Sequence, residues 1–246
     1  MHTKNNNPPN DATAMTEPPK PAIGQTEWGD FDRLTPFSSC WGSERGRPID
    51  RHYIEAFLGR HVSDFHGRAL EVENPNYLKK YGAQTIQSFD VLDINRNNTK
   101  ATIIANLESG EGIPENTFDC FVMTQTLQFI YDAPAALTQA CKLLKPGGVM
   151  LATVPGITPL PVSDPYTSEC CWAFTTTSIN RMLGDVFGPE NIQVQSFGNV
   201  RTATAFLWGL SLGEIPSEHF EYNDPDYPVI ITLKAIKPQS PKHAET

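Results

Sequence analysis

The sequence predicts an α/β domain built on a mainly parallel sheet of seven strands, the last antiparallel, with helices on both faces. Three observations carry this. Short β-rich runs alternate with stretches of helical period. Glycines and prolines fall between these runs. At 246 residues with 39% hydrophobic content, the chain suffices for one full-sized domain without disulfides or metal.

The elements follow in order. Met1 to Gln25 is Asn-, Pro-, Thr- and Lys-rich, with 5 of the chain's 21 prolines in its first 21 residues. It has too little apolar surface to offset its ordering entropy, so residues 1–26 read as a disordered tail. It lacks the apolar stretch of a secretory signal. Residues 27–60 read as a lead, or lid, ending in a helix that starts near Ile49. Tyr53, Ile54, Phe57 and Leu58 share one face of that helix. Residues 61–238 form the main domain, and 239–246 a disordered end.

Arg68 to Glu73 is the first strand pattern, and Asn74 to Tyr81 could hold two helical turns. Thr85 to Asp93, Ala101 to Ala105 and Phe118 to Met123 are the next strands. Ala136, Leu137, Ala140, Cys141 and Leu144 then mark a helix, with Lys142 and Lys145 in its last turn and Pro146-Gly147-Gly148 as its stop. Val149 to Val154 is a strand. Ser178 to Phe187 is a helix, with Ile179, Met182, Leu183, Val186 and Phe187 on one face. Ile192 to Phe197 is a strand, Thr202 to Leu212 an apolar helix, and Val229 to Ile236 the closing strand. The last two strands suit an antiparallel pair at one sheet edge.

Composition excludes several functions. Nineteen Lys plus Arg against 28 Asp plus Glu give a net charge of −9, which argues against nucleic acid as a general partner. The uncharged stretch from Pro146 to Ser163 holds four prolines and three glycines, so it is no membrane span. His52, His61 and His66 show no metal spacing, and no metal site is expected. Five cysteines without a CxxC pair suit a reducing cytoplasm.

In an open parallel sheet, ligands bind beyond the carboxyl ends of the strands. Glu71 and Glu73 lie at the first strand end, and Asp90 and Asp93 near the second. Asn106 and Leu107 follow the third, and Thr124, Gln125 and Thr126 the fourth. A carboxylate after the second strand can accept from both ribose hydroxyls, and either Asp90 or Asp93 could serve. Asn106 suits an adenine amino group. These carboxylates and amides suit an adenosine with an uncharged or cationic tail. Gln125 and Thr126 either line a site or cap the strand.

Arg68-Ala-Leu-Glu71-Val, the Ile113 to Asp119 linker and above all Leu143 to Gly156 (LLKPGGVMLATVPG) resemble class I S-adenosylmethionine-dependent methyltransferases. Within that family the chain is most similar to the methyltransferase type 11 proteins. The matching pieces are Gly46 to Leu58, Thr124 to Leu127 (TQTL), Trp172 to Thr175 (W-x-F-T) and Gly198 to Val200 (GNV). The resemblance implies a Rossmann-like fold and S-adenosyl-L-methionine as cofactor, held by Glu71, Glu73, Asp90, Asp93, Asn106, Leu107, Thr124 and Gln125. It implies a small-molecule or glycan-precursor acceptor near Trp172, Phe174 and Tyr53, and a possible glycosyltransferase or biosynthetic-cluster partner. Cys170-Cys171 either shapes the acceptor pocket or is a pair of exposed thiols. Arg47, Asp50, Arg51 and Tyr53 form either a helix-start salt bridge or a lid over the cofactor. No catalytic base stands out; Asp164 and Glu169 are the weak options. Three departures are visible: no glycine follows Glu71, Asn106 replaces an Asp, and Ala173 replaces an Arg. The first supports a rival reading, a catalytically silent accessory module.

Overall fold

The computed structural model describes residues 19–160 and 170–239. Asp164, Glu169 and most of both expected disordered ends lie outside the described residues. The elements are α1 (Asp50–Arg60), β1 (Gly67–Val72), α2 (Asn76–Tyr81), β2 (Ile86–Asp93), β3 (Ile103–Ile104) and β4 (Phe118–Thr124), followed by α3 (Ala133–Leu143), β5 (Leu144–Pro155), α4 (Thr176–Phe187), β6 (Ile192–Phe197), α5 (Val200–Leu207) and β7 (Ile230–Ile236). One seven-stranded sheet has the order β3-β2-β1-β4-β5-β7-β6. The first five strands pair in parallel, and β7 runs antiparallel to both β5 and β6. The expected α/β class and the antiparallel last strand are both present.

The pleat explains the two cores. Side chains alternate across a strand, so odd and even positions face opposite sides. Leu70, Phe121, Met123, Met150 and Ala152 point to one face, where α3 and α4 add Leu137, Ala140, Ile179 and Leu183. Ala69, Cys120, Val122 and Leu151 point to the other, where α1 and α5 add Ile54, Phe57, Leu58 and Phe206. Each face is closed by helices whose apolar stripe recurs at i, i+3 and i+4.

Two helix starts are defined by side chains. Thr175 Oγ1 accepts from the Ser178 amide at 3.1 Å, and Ser178 Oγ accepts from the Thr175 amide at 3.1 Å. Asn199 and Thr202 make the same reciprocal pair at the start of α5. The Asn199 Nδ2 also donates to the carbonyls of His219 and Tyr222 at 2.8 Å. The Gly198 to Val200 element is therefore a helix cap and loop clamp.

Three expectations need correction. Lys145 is not in a last helical turn: α3 stops at Leu143, and Leu144 is already extended and paired with Phe118. Lys145 Nζ instead reaches Asp119 Oδ2 at 2.7 Å, tying β5 to β4. The third strand shrinks to Ile103–Ile104, because only those residues pair with β2. The Thr202 helix ends at Leu207, where Gly209 turns left-handed (φ 69°) and its backbone abuts Ser38. Among the described residues no helix is long and apolar enough to cross a membrane.

The lead packs across the end of the sheet. Phe31 and Phe37 pack on Trp208 with ring centroids 5.3 and 5.6 Å away. Pro48 bridges Ser211, the Leu212 amide donates to the Arg47 carbonyl at 2.8 Å, and Arg45 pairs with Glu214.

Candidate functional site

Because β1, β2, β3, β4 and β5 are parallel, their carboxyl ends share one edge of the sheet. Glu73 follows β1, Asp93 ends β2, Asn106 follows β3, Thr124 ends β4, and Pro155 ends β5. A cavity of about 290 Å³ opens there, under residues of the lead. Its walls come from Trp41 and Asp50–Arg51 above, Glu73 and Gln125 at the strand ends, and Gln128 and Phe129 in the turn after β4.

Backbone strain gathers at this cavity. Among the described residues, four non-glycines have left-handed φ: Trp41 (55°), Glu73 (69°), Asn116 (48°) and Gln125 (50°). Three of them, all but Asn116, line the cavity. Each such residue costs roughly 1–3 kcal/mol, and such strain clusters at functional sites. Gln125 is held by its amide donating to the Thr153 carbonyl at 2.9 Å and its Nε2 donating to Thr153 Oγ1 at 3.2 Å.

Glu71 is 4% exposed, and both carboxylate oxygens are occupied. They accept the amides of Tyr77 at 3.1 Å and Leu78 at 2.9 Å, inside the first turns of α2. Burial pushes its pKa up to about 7, against the pull of those two amides. Glu71 thus anchors the glycine-free loop from inside.

The two aspartates of β2 separate. Asp90 lies inside the strand opposite Leu70. Its Oδ2 takes Arg68 Nη2 at 2.8 Å, and its Oδ1 takes Thr102 Oγ1 at 2.9 Å. That commitment makes it a structural ion pair. Asp93 stands at the strand end, accepting the Asn95 amide at 2.9 Å and Asn98 Nδ2 at 2.6 Å. Asn98 Nδ2 also donates to the Glu73 carbonyl at 2.6 Å, joining the β1 and β2 ends. Asn106 is exposed, and its Oδ1 accepts the Glu108 amide at 2.8 Å. Leu107 is buried in the core, so its side chain offers nothing to a ligand. Thr126 Oγ1 donates to the Thr124 carbonyl at 3.1 Å, which caps the strand.

The three residues expected near the acceptor belong to the packing. Tyr53 is buried and donates its hydroxyl to Thr202 Oγ1 at 3.1 Å, beside a separate smaller pocket. Trp172 donates its Nε1 to the Ile130 carbonyl at 3.0 Å and stacks between Tyr131 and Phe174. Phe174 is a buried core side chain whose amide donates to the Pro155 carbonyl at 3.0 Å. None of the three lines the main cavity. Large aromatic rings satisfy core and platform roles equally in sequence; here Tyr53 and Phe174 are buried and Trp172 half-buried.

Asp50, Arg51 and Gln128 carry the cavity's polar chemistry. Asp50 is 7% exposed, and its Oδ1 has no hydrogen-bond partner. Burial raises its pKa, opposed by the Arg51 charge. Burial works against the Arg51 charge too, but Asp50, Tyr77 and Glu73 outweigh it and raise its pKa. Gln128 is 5% exposed, and its Oε1 is likewise without a partner. Each such orphan costs about 1–3 kcal/mol. Asp50 and Arg51 were visible as a helix-start cluster. Gln128 was missed, although a lone amide between Leu127 and Phe129 is a signal of a buried polar group. Arg47 pairs with Glu55 along α1. Cys170 lines the cavity. No cluster of possible metal ligands occurs among the described residues.

Residues 74–152 match the family described as "Methyltransferase domain". Human arginine-hydroxylase NDUFAF5, mitochondrial, is 27% identical over 147 residues, which is 51% of this chain. The chain's match spans 42% of that relative's length. Three solved structures share the fold. A chain in the complex of the Haloferax volcanii Trm112 methyltransferase activator with a methyltransferase has a TM-score of 0.52 at 12% identity, covering 85% of this chain and 98% of its own. A Listeria monocytogenes protein described as a "putative S-adenosylmethionine dependent methyltransferase" scores 0.50 at 12% identity, covering 78% and 97%. The [4+2]-cyclase SpnF scores 0.50 at 14% identity, covering 77% and 82%. Residues 74–152 thus match a methyltransferase-domain model, and the chain shares its fold with class I S-adenosylmethionine-dependent methyltransferases.

Proposed function

We propose that the chain transfers a methyl group from S-adenosyl-L-methionine to a small-molecule or glycan-precursor acceptor. The observation that carries this reading is that Asp93 and Asn106 stand at the same carboxyl edge of the sheet as a strained cavity. When bound, the cofactor supplies an electrophilic methyl group, so the protein needs no covalent nucleophile.

The residues present fit an adenosine. A carboxylate has about four acceptor sites. Asn95 and Asn98 occupy one site on each Asp93 oxygen, which leaves places for two ribose hydroxyls. Asn106 keeps an acceptor site on Oδ1 for an adenine amino group. Thr124 and Gln125 border the acceptor side. The chain's work is to bind, orient and exclude water, with the lead residues Trp41, Asp50 and Arg51 covering the strand ends.

One observation favours the second reading, a catalytically silent accessory module. Glu73, at φ 69°, stands where a close cofactor approach would favour glycine. Methyl-labelled S-adenosylmethionine separates the two. Label passing into an acceptor, with an equal release of S-adenosylhomocysteine, supports methyl transfer. Stoichiometric cofactor binding with no label moved to any acceptor of a broad panel supports the accessory role.

A further inference from the structure

The two residues with orphaned acceptors are walls of one cavity, and that juxtaposition points to a ligand. Asp50 Oδ1 and Gln128 Oε1 are both buried, and both residues are cavity walls. The nearest recorded cation to Asp50 Oδ1 is Arg51 Nε at 3.9 Å, beyond hydrogen-bond reach. Backbone amides of Arg51 and Asp50 reach the Asp50 carboxylate but leave Oδ1 unpaired, while Gln128 Nε2 is turned to Gln125 Oε1 at 3.4 Å and Gln125 Nε2 to Thr153. Among the described wall residues the charged groups are Asp50, Glu73 and Arg51, so the carboxylates outnumber the cation. The remaining walls include the rings of Trp41, Phe129 and Phe206.

We propose that this cavity takes an amine, with its N–H groups donating to the Asp50 carboxylate and the Gln128 carboxamide and its apolar body against those three rings. A carboxylate or phosphate would meet two acceptors and a local excess of negative charge. A single hydroxyl would satisfy one orphan and leave the other. An ammonium has three donors and the complementary charge. At about 290 Å³ the cavity is at the small end of ligand sites, which run roughly 300–1,000 Å³. Asp93 and Asn106 are not among its described walls.

That the amine is the methyl acceptor rests on the function proposed above. In that role the ammonium first passes a proton to Asp50. The freed nitrogen pair then forms the N–C bond while the S–C pair stays on sulfur.

The test is calorimetric titration of the full chain with 2-phenylethylamine and its isosteres 2-phenylethanol and phenylacetate. The amine should bind at least about tenfold tighter than the alcohol, and phenylacetate weakest. Asp50→Asn should cut the amine preference to under about threefold, because the charge goes and the shape stays. Saturating S-adenosylhomocysteine should leave the amine in place. Equal binding of amine and alcohol to the native chain would overturn the proposal, as would no amine binding at all, which would leave only water in the cavity. Displacement by S-adenosylhomocysteine would also overturn it, by giving the cavity to the cofactor. The native-chain comparison decides even where the variant fails to fold. Cofactor titration alone keeps the two readings apart. Amine selectivity without S-adenosylhomocysteine binding preserves the amine site and removes methyl transfer. Cofactor binding without amine selectivity does the reverse.

Discussion

Glu71 offers a sharp perturbation, because one buried carboxylate ties β1 to the first turns of α2. Its pKa of about 7 in the folded chain stands against 4.5 when solvated. Folding therefore favours the protonated form. The stability tied to that proton is fully present below about pH 4.5 and is lost as pH rises through 7. The difference of about 2.5 pKa units corresponds to about 3 kcal/mol. Glu71→Gln removes the titration but turns an NH2 toward one of the two amides of Tyr77 and Leu78. That costs about 1–3 kcal/mol at low pH, where the native acid is neutral. Urea denaturation of both forms from pH 5 to 8.5 gives the assay, since other titrations cancel in the difference. The native chain should lead at pH 5, and the gap should close or reverse by pH 8.5. A difference constant to within about 0.5 kcal/mol over that range would refute a raised Glu71 pKa.

Four other outcomes follow from the same geometry. Asp93→Ala should weaken S-adenosylhomocysteine binding by about 10- to 100-fold, by removing a charged acceptor; unchanged affinity would move the ribose elsewhere. Asp90→Ala should leave that affinity unchanged and cost no more than about 1 kcal/mol of stability, because it loses a partly exposed ion pair. Phe174→Ala should destabilise by about 3–5 kcal/mol, read as a large fall in melting temperature, as befits a core ring. Glu73→Gly should raise the urea midpoint by relieving a left-handed side chain, and should tighten S-adenosylhomocysteine binding; looser binding would show that the Glu73 carboxylate itself holds the ligand.

Much of the fold was legible because it rests on periodicity. The stripe Ile179, Leu183 and Phe187 needs only the helical repeat, and Ile192–Phe197 only alternation. The short β3 was over-read, since apolar residues at Ala101 and Ala105 do not by themselves make ladder partners. Leu143-Leu144-Lys145-Pro146-Gly147-Gly148 was read as a helical end because propensity sees the glycines. Pairing of Leu144 with Phe118 overrode it. The positions of Asp93 and Gln125 at strand ends follow from topology alone. The packing of Tyr53, Trp172 and Phe174 was not legible, because it depends on which distant elements face them. Asp50 and Gln128 gain their meaning only when the lead and the turn after β4 meet over one cavity, a contact between distant parts of the chain.

If the carboxyl edge of this sheet holds S-adenosylmethionine despite its glycine-free first loop, the demethylated product binds there as well. Calorimetric titration of the full chain with S-adenosylhomocysteine tests it most directly. Binding at 1:1 and about micromolar strength, near −8 kcal/mol, is expected. No detectable heat at millimolar ligand would contradict it.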